Sequence, residues 1–131
     1  MTNEEKLNFA STLGAMLPYK VWCRFKDVYS NEFMDGVLFS IDGGDTFKFY
    51  NPNKPYRLYT ATLDESQIMP YLRPMNSMDS TEETACNDLL EQYDEDKIYR
   101  LIDWLNEKKF DYKNWIENDM ALPMSELKID K

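Results

Sequence analysis

The chain has 131 residues, room for one ordinary domain and little more. Hydrophobic residues at 43% and aromatics at 15% predict a packed core that requires neither a disulfide nor a metal staple. A formal charge of −9 opposes direct binding to a phosphate backbone, and the absence of histidine removes Ser-His and Cys-His catalysis along with the commonest zinc ligand.

The first predicted element is a helix over 3–17. Thr2 and Glu5 have capping-box spacing, Leu7, Ala10, Leu13 and Leu17 recur at helical intervals, and Gly14 and Pro18 end it. The N-terminal stretch is acidic and lacks an apolar core, so it does not read as a signal peptide, and no apolar run approaches a membrane span. The expectation is a soluble, cytoplasmic protein. Cys23 and Cys86, far apart in sequence, read there as two reduced, mostly buried thiols.

Residues 18–75 read as a β module. "YKVWCRF" alternates Tyr19, Val21, Cys23 and Phe25 against Lys20, Trp22 and Arg24, the pattern of a half-buried strand. "GVLFSI" is a second strand, with Val37, Phe39 and Ile41 predicted on one face. "DGGD" at 42–45 is a hairpin turn, "TFKFY" a third strand with Phe47 and Phe49 inward, and "YRLYTATL" from Tyr56 a fourth. Short strands joined by tight turns predict an antiparallel meander, or its closure into a small SH3-like or OB-like barrel.

"PYLRPMNSM" at 70–78 follows. Met69 and Arg73 each precede proline and are biased to extended backbone. The segment reads as a rigid joint leaving the sheet, with Leu72, Met75 and Met78 plugging the gap to the helices and Ser77, Asp79 or Ser80 capping the next one. A helical module over 79–122 follows. One helix runs to about Tyr93 and buries Ala85, Leu89 and Leu90; another starts near Glu95 with Ile98, Leu101, Ile102 and Leu105 on one face. Asp111 is positioned to cap a last short helix through Trp115 and Ile116, and Pro123 ends the ordered part before a tail over 124–131. The whole is one α+β domain, an antiparallel meander or small barrel packed against an N-terminal helix and two to three C-terminal helices. Val21, Cys23, Phe25, Phe39, Phe47, Leu101 and Leu105 are the expected core.

"LPYKV" at 17–21, "PYLRPMNSM" at 70–78 and "LIDWLNEKKFDYKNWIENDMAL" at 101–122 resemble, in order, segments of a family of small phage, prophage and mobile-element proteins of Bacteroidetes bacteria. Met75-Asn76 stands where that family has Leu-Ser, and Lys113-Asn114-Trp115 where Arg-Gly-Leu is common. The resemblance implies a mobile-element origin and a bacterial host cytoplasm. It supplies no activity, cofactor or site residue.

The remaining chemistry is sparse. Two isolated cysteines cannot make a four-ligand zinc site, no glycine-rich phosphate loop is present, and "DEDK" at 94–97 lacks the glycine and distal glutamate of a calcium loop. No metal, cofactor or catalytic residue is predicted. Asp42 with Asp45, and Asp94, Glu95 and Asp96, are the carboxylate groups a hydrolase would need to converge; both sets read as solvated turn and capping residues. Trp22, Tyr50 and Tyr59 are placed opposite the inward set, either as an exposed stacking surface or as a second layer under the helices.

Charge is unevenly spread. Residues 1–75 carry a net −1 and residues 76–131 a net −8. Glu82, Glu83, Asp88, Glu91, Asp94, Glu95 and Asp96 fall on or beside one helix with no Lys or Arg among them. That cluster is either a solubilising surface or an imitation of nucleic acid offered to a basic partner. The leading functional expectation is a non-enzymatic mobile-element accessory protein that binds a macromolecular partner, such as a basic nucleic-acid-binding or host-defence protein, through this acidic surface. A structural or assembly component of a phage particle is the alternative, and a carboxylate-dependent hydrolase the least favoured.

Overall fold

The computed structural model describes residues 2–43, 45–64 and 67–128. Helix α1 covers Asn3–Ala15. The Thr2 hydroxyl accepts the Glu5 N–H at 3.1 Å and the Glu5 carboxylate accepts the Thr2 N–H, the reciprocal cap that the spacing predicts. Phe9, Ala10 and Leu13 are its buried face; Leu7, expected there, is exposed. The helix stops short of residue 17, because Leu17–Tyr19 tighten into a 3-10 turn that ends at Lys20 with φ +58°.

Strands β1 (Trp22–Lys26), β2 (Phe33–Asp42), β3 (Thr46–Asn51), β4 (Lys54–Thr62), β5 (Met69–Leu72) and β6 (Leu122–Pro123) form one sheet in the order β4-β3-β2-β1-β5-β6. The first five pair antiparallel, as the meander predicts. The sheet does not close into a barrel. It curls instead: past the end of β1, the Val28 N–H reaches the Thr60 carbonyl on β4 at 2.9 Å, and the Asp27 carboxylate accepts the Thr60 N–H at 3.0 Å. Two bonds join these strands where a barrel would need a ladder. The Gly43 backbone, at φ +68°, suits the β2–β3 turn; Gly44 of the same "DGGD" lies outside the described residues.

Cys23, Phe25, Leu38, Phe47, Phe49 and Ala61 fill the inner face. Phe25 and Phe49 stack with ring centroids 4.0 Å apart. Gly36 leaves room for them, since a Cβ there would stand 3.2 Å from both the Phe25 ring and the Tyr50 carbonyl oxygen. The expected Val37–Phe39–Ile41 face of β2 is corrected by an irregularity in register between Leu38 and Ser40. Leu38 is buried in the core and Phe39 is turned out, 54% exposed. An extra residue in one strand reverses the alternation beyond it, so period-two counting fails across the bulge.

The joint is partly sheet. Its first half is β5, paired to β1 through Cys23↔Pro70, and its second half is a 3-10 turn over Met75–Ser77. Leu72 is buried as expected, whereas Met75 is exposed and Met78 only half-buried. Helix α2 covers Ser80–Leu90, capped by Asp79, whose carboxylate accepts the Glu82 N–H while Glu82 accepts the Asp79 N–H. No α2 residue is fully buried: Ala85 and Leu89 are half-covered and Leu90 is exposed. Helix α3 covers Lys97–Lys108 and buries Leu105, with Leu101 and Ile102 half-buried and Ile98 exposed.

No third C-terminal helix forms at 111–116. Asp111 does accept the Trp115 and Ile116 N–H groups, at 2.8 and 2.9 Å, but the chain continues in turns with Asn114 and Asp119 at positive φ. Those turns seat Trp115 against Phe9, rings stacked 4.9 Å apart, so the inner face of the sheet is covered by α1 and by this segment together. The segment then enters the sheet as β6, parallel to β5 through Tyr71↔Leu122 and Leu72↔Pro123, where the ordered part was expected to end. Both cysteines are free thiols; Cys23 is fully buried, which pushes its pKa far up, and Cys86 is half-buried. Among the described residues no helix is long and apolar enough to cross a membrane.

Candidate functional site

The acidic residues singled out in the sequence divide into two kinds. Glu82 is structural. Its carboxylate receives the Arg73 guanidinium through two bonds, at 2.6 and 2.7 Å, and the Asp79 N–H at 3.1 Å. The Arg73 bonds, and then that backbone donor, pull its pKa down to about 2. Asp94 is also paired, with Arg100, which holds its carboxyl below the ordinary range; the same guanidinium bonds Gln92 Oε1, tying the α2–α3 connection to the first turn of α3. The expectation that no internal cation serves this cluster is therefore corrected at Glu82 and Asp94. Local spacing could not reveal the first case, because Arg73 lies in the preceding joint.

The other five carboxylates, on Glu83, Asp88, Glu91, Glu95 and Asp96, are exposed, and among the described residues no Lys or Arg stands within ion-pair distance of them. They surround apolar side chains the sequence reading had placed inside or passed over. Tyr93 is fully exposed, and Leu90, Ile98 and Tyr99 are half exposed or more. The α2–α3 elbow thus presents four large apolar groups within ten residues, set among unpaired carboxylates. Such a surface offers an apolar anchor and an electrostatic rim.

The proposed aromatic surface is rearranged by the strand register. Trp22↔Val37, Val37↔Tyr50 and Tyr50↔Leu58 form one row across β1–β4, on the face opposite the main core, with Val37 at its centre buried. Tyr59 does not belong to it: it is opposite Phe49 and packs against the inner core, with the Arg57 guanidinium 5.1 Å from its ring centroid. The sequence reading was one residue out, and Leu58 takes the outward place. Phe33 and Phe39, more than half exposed, extend this surface along β2, and Phe39 meets Tyr50 edge to face at 6.2 Å. Trp22 and Tyr50 are half-buried.

Of the carboxylates considered for hydrolysis, Asp42, Asp45 and Asp94 each have a local partner. Asp42 lies 3.6 Å from Lys48, Asp45 sits beyond the turn beside Thr46, and Asp94 belongs to the Arg100 pair. Among the described residues no three Cys, Asp or Glu side chains are grouped to hold a metal ion. Asp27 and Asp111, the most buried acids, are occupied by backbone N–H groups. For Asp27, burial raises the carboxyl pKa, and the N–H groups of Ser30, Thr60 and Tyr29 outweigh it to leave the value lowered. These acids hold turns in place.

No protein-family model, curated protein or solved structure matches the chain.

Proposed function

We propose that the chain is a non-enzymatic binding protein that docks a basic macromolecular partner on the α2–α3 elbow. One observation carries this reading: Leu90, Tyr93, Ile98 and Tyr99 are exposed among five carboxylates that have no ion-pair partner among the described residues. Exposing apolar groups and concentrating like charge both cost free energy in the isolated molecule, and a basic partner relieves both at once. The resemblance to phage and mobile-element proteins supports a partner that such an element gains by blocking, a nucleic-acid-binding or host-defence protein whose phosphate-binding surface the carboxylates occupy. Anions and apolar anchors together suit a surface that combines Lys or Arg with aromatic groups, as single-strand-binding grooves do.

The test is a tagged pull-down from a Bacteroidetes host, repeated with two variants of the elbow. One carries Glu83→Gln, Glu91→Gln, Glu95→Gln and Asp96→Asn; the other carries Tyr93→Ala and Tyr99→Ala. Glu82 and Asp94 are left intact because they serve the fold. Both variants should lose the partner recovered by the parent chain, and association should slow as salt is raised, since the Debye length falls from about 10 Å at 0.1 M to about 3 Å at 1 M. Equal recovery by all three proteins would refute the elbow as the interface.

A further inference from the structure

We propose that Arg100 is the positioning residue of the α2–α3 elbow: its guanidinium grips Gln92 and Asp94, the neighbours of Tyr93 on either side, and so holds Tyr93 outward as a preformed anchor for the basic partner. The inference rests on the docking reading of the elbow and accounts for a residue that charge alone does not explain. A surface that recruits a basic partner gains nothing from a cation of its own, yet Arg100 follows Asp94, Glu95 and Asp96 closely in the chain and is paired to Asp94.

The geometry shows how that cation is used. Arg100 stands in the first turns of α3, and its backbone N–H donates to the Asp96 carbonyl at 3.1 Å. Its Nε donates to Gln92 Oε1 at 3.0 Å, while Nη2 donates both to that oxygen and to Asp94 Oδ2. The other Asp94 oxygen accepts the Asp96 N–H at 3.0 Å, and the Asp94 carbonyl accepts the Lys97 N–H at 3.4 Å. Helix α2 ends at Leu90 and α3 begins at Lys97, so the segment between them lies outside both helices. The Tyr93 side chain is fully exposed, and its own packing does not fix its direction. A planar guanidinium spans two acceptors in a fixed geometry, which the point charge of an ammonium does not.

An anchor that is already ordered loses little freedom on docking, whereas one on a loose connection must be ordered at the moment of binding. The benefit falls on dissociation, since rim charge acts chiefly on association. Charge and positioning therefore predict opposite signs. Neutralising Arg100 makes the elbow more acidic, so by charge alone a basic partner would be held more tightly. With Arg100 as the positioning residue, the partner leaves faster despite the added attraction.

The first readout needs no partner. In 15N relaxation on the free chain, backbone order parameters over 92–94 should be about 0.85 in the parent and fall below about 0.6 in Arg100→Gln and Arg100→Lys, with β2 and β3 unchanged. The second readout is binding of a synthetic peptide of alternating lysine and tryptophan, which carries the cations and aromatic groups that suit the elbow. Arg100→Lys keeps the net charge and should speed dissociation of the peptide about three- to tenfold, as should Tyr93→Ala. The double variant should be no worse than Tyr93→Ala alone, because both changes remove the same ordered anchor. Unchanged order over 92–94, a peptide that the parent does not bind or that Arg100→Lys releases no faster, or additive losses in the double variant would overturn the proposal. Equal capture of the cellular partner by the parent and the elbow variants refutes the docking reading, and the relaxation result does not depend on it.

Discussion

Arg73 holds Glu82 through paired hydrogen bonds, Nη1 to Oε2 at 2.6 Å and Nη2 to Oε1 at 2.7 Å. The same guanidinium carbon lies 4.4 Å from the centroid of the fully buried Phe110 ring. The Arg73 backbone bonds on both sides as well, its N–H to the Lys109 carbonyl and its carbonyl to the Asp111 N–H, each at 2.8 Å. One residue of the joint therefore fastens α2, the end of α3 and the sheet. Because α2 buries no residue of its own, this clamp carries much of its attachment.

Acid should release α2. The Glu82 pKa lies near 2 in the folded chain and at its ordinary 4.5 in the unfolded one. A depressed folded value means the unfolded state takes up the proton first, so the stabilisation is complete above 4.5 and is lost as pH falls toward 2. Thermal melts of the parent should fall across that window, and those of Glu82→Gln should be lower at pH 7 with a shallower decline. In Arg73→Met the α2 amides should exchange faster with solvent while those of β2 and β3 stay protected.

The β2 irregularity predicts an inverted mutational pattern. Leu38→Ala removes a fully buried side chain and should cost about 2–5 kcal/mol by chemical denaturation. Phe39→Ala, the larger truncation, should cost less than about 1 kcal/mol because its side chain is more than half in solvent. The reverse order would place the bulge elsewhere.

The joint makes a similar contrast. Leu72, 1% exposed, should cost about 2–5 kcal/mol on replacement by Ala, and the exposed Met75 no more than about 1 kcal/mol. Equal losses would mean that Met75 is packed.

Helix α3 ends on Lys109 at φ +61°, and the turn before β1 ends on Lys20 at φ +58°. The left-handed region costs a residue with a Cβ about 1–2 kcal/mol, offset by the greater freedom glycine has when unfolded, about 0.4–1 kcal/mol. Lys20→Gly should accordingly stabilise by about 0.5 kcal/mol, seen as a rise in denaturant midpoint with unchanged slope. A loss would show that the Lys20 side chain makes a contact worth more than the strain.

What could be read in advance followed from local chemistry. The Thr2–Glu5 cap, the alternation of Cys23 and Phe25, and the return of Phe47 and Phe49 to the same face are set by residues two or three apart, and each stands where its spacing puts it. Features that depend on distant partners were illegible. Nothing near Glu82 announces Arg73, nothing near Leu122 announces Tyr71, and period-two counting cannot see an irregularity beside Phe39. The candidate site shows the same division. Its carboxylates were visible as a run without cations, but the exposure of Leu90 and Ile98 depends on how little of α2 and α3 the rest of the chain covers.

The stacking of Phe9 on Trp115 has a consequence for how the chain reaches its fold. Helix α1 is made before any strand of the sheet, yet the ring that stacks on Phe9 is absent until residue 115 has been made and positioned. Until then α1 can lie against Phe47, but that cluster keeps one side open to solvent. Closing it joins segments more than a hundred residues apart, a loop whose entropy must be met before the contact gives anything back. Synthesis from one end therefore gives this molecule no early folded half. The nascent chain stays exposed to chaperones and proteases until residue 115 has been made, and a stop codon shortly before Trp115 would yield a product for degradation rather than a shortened domain.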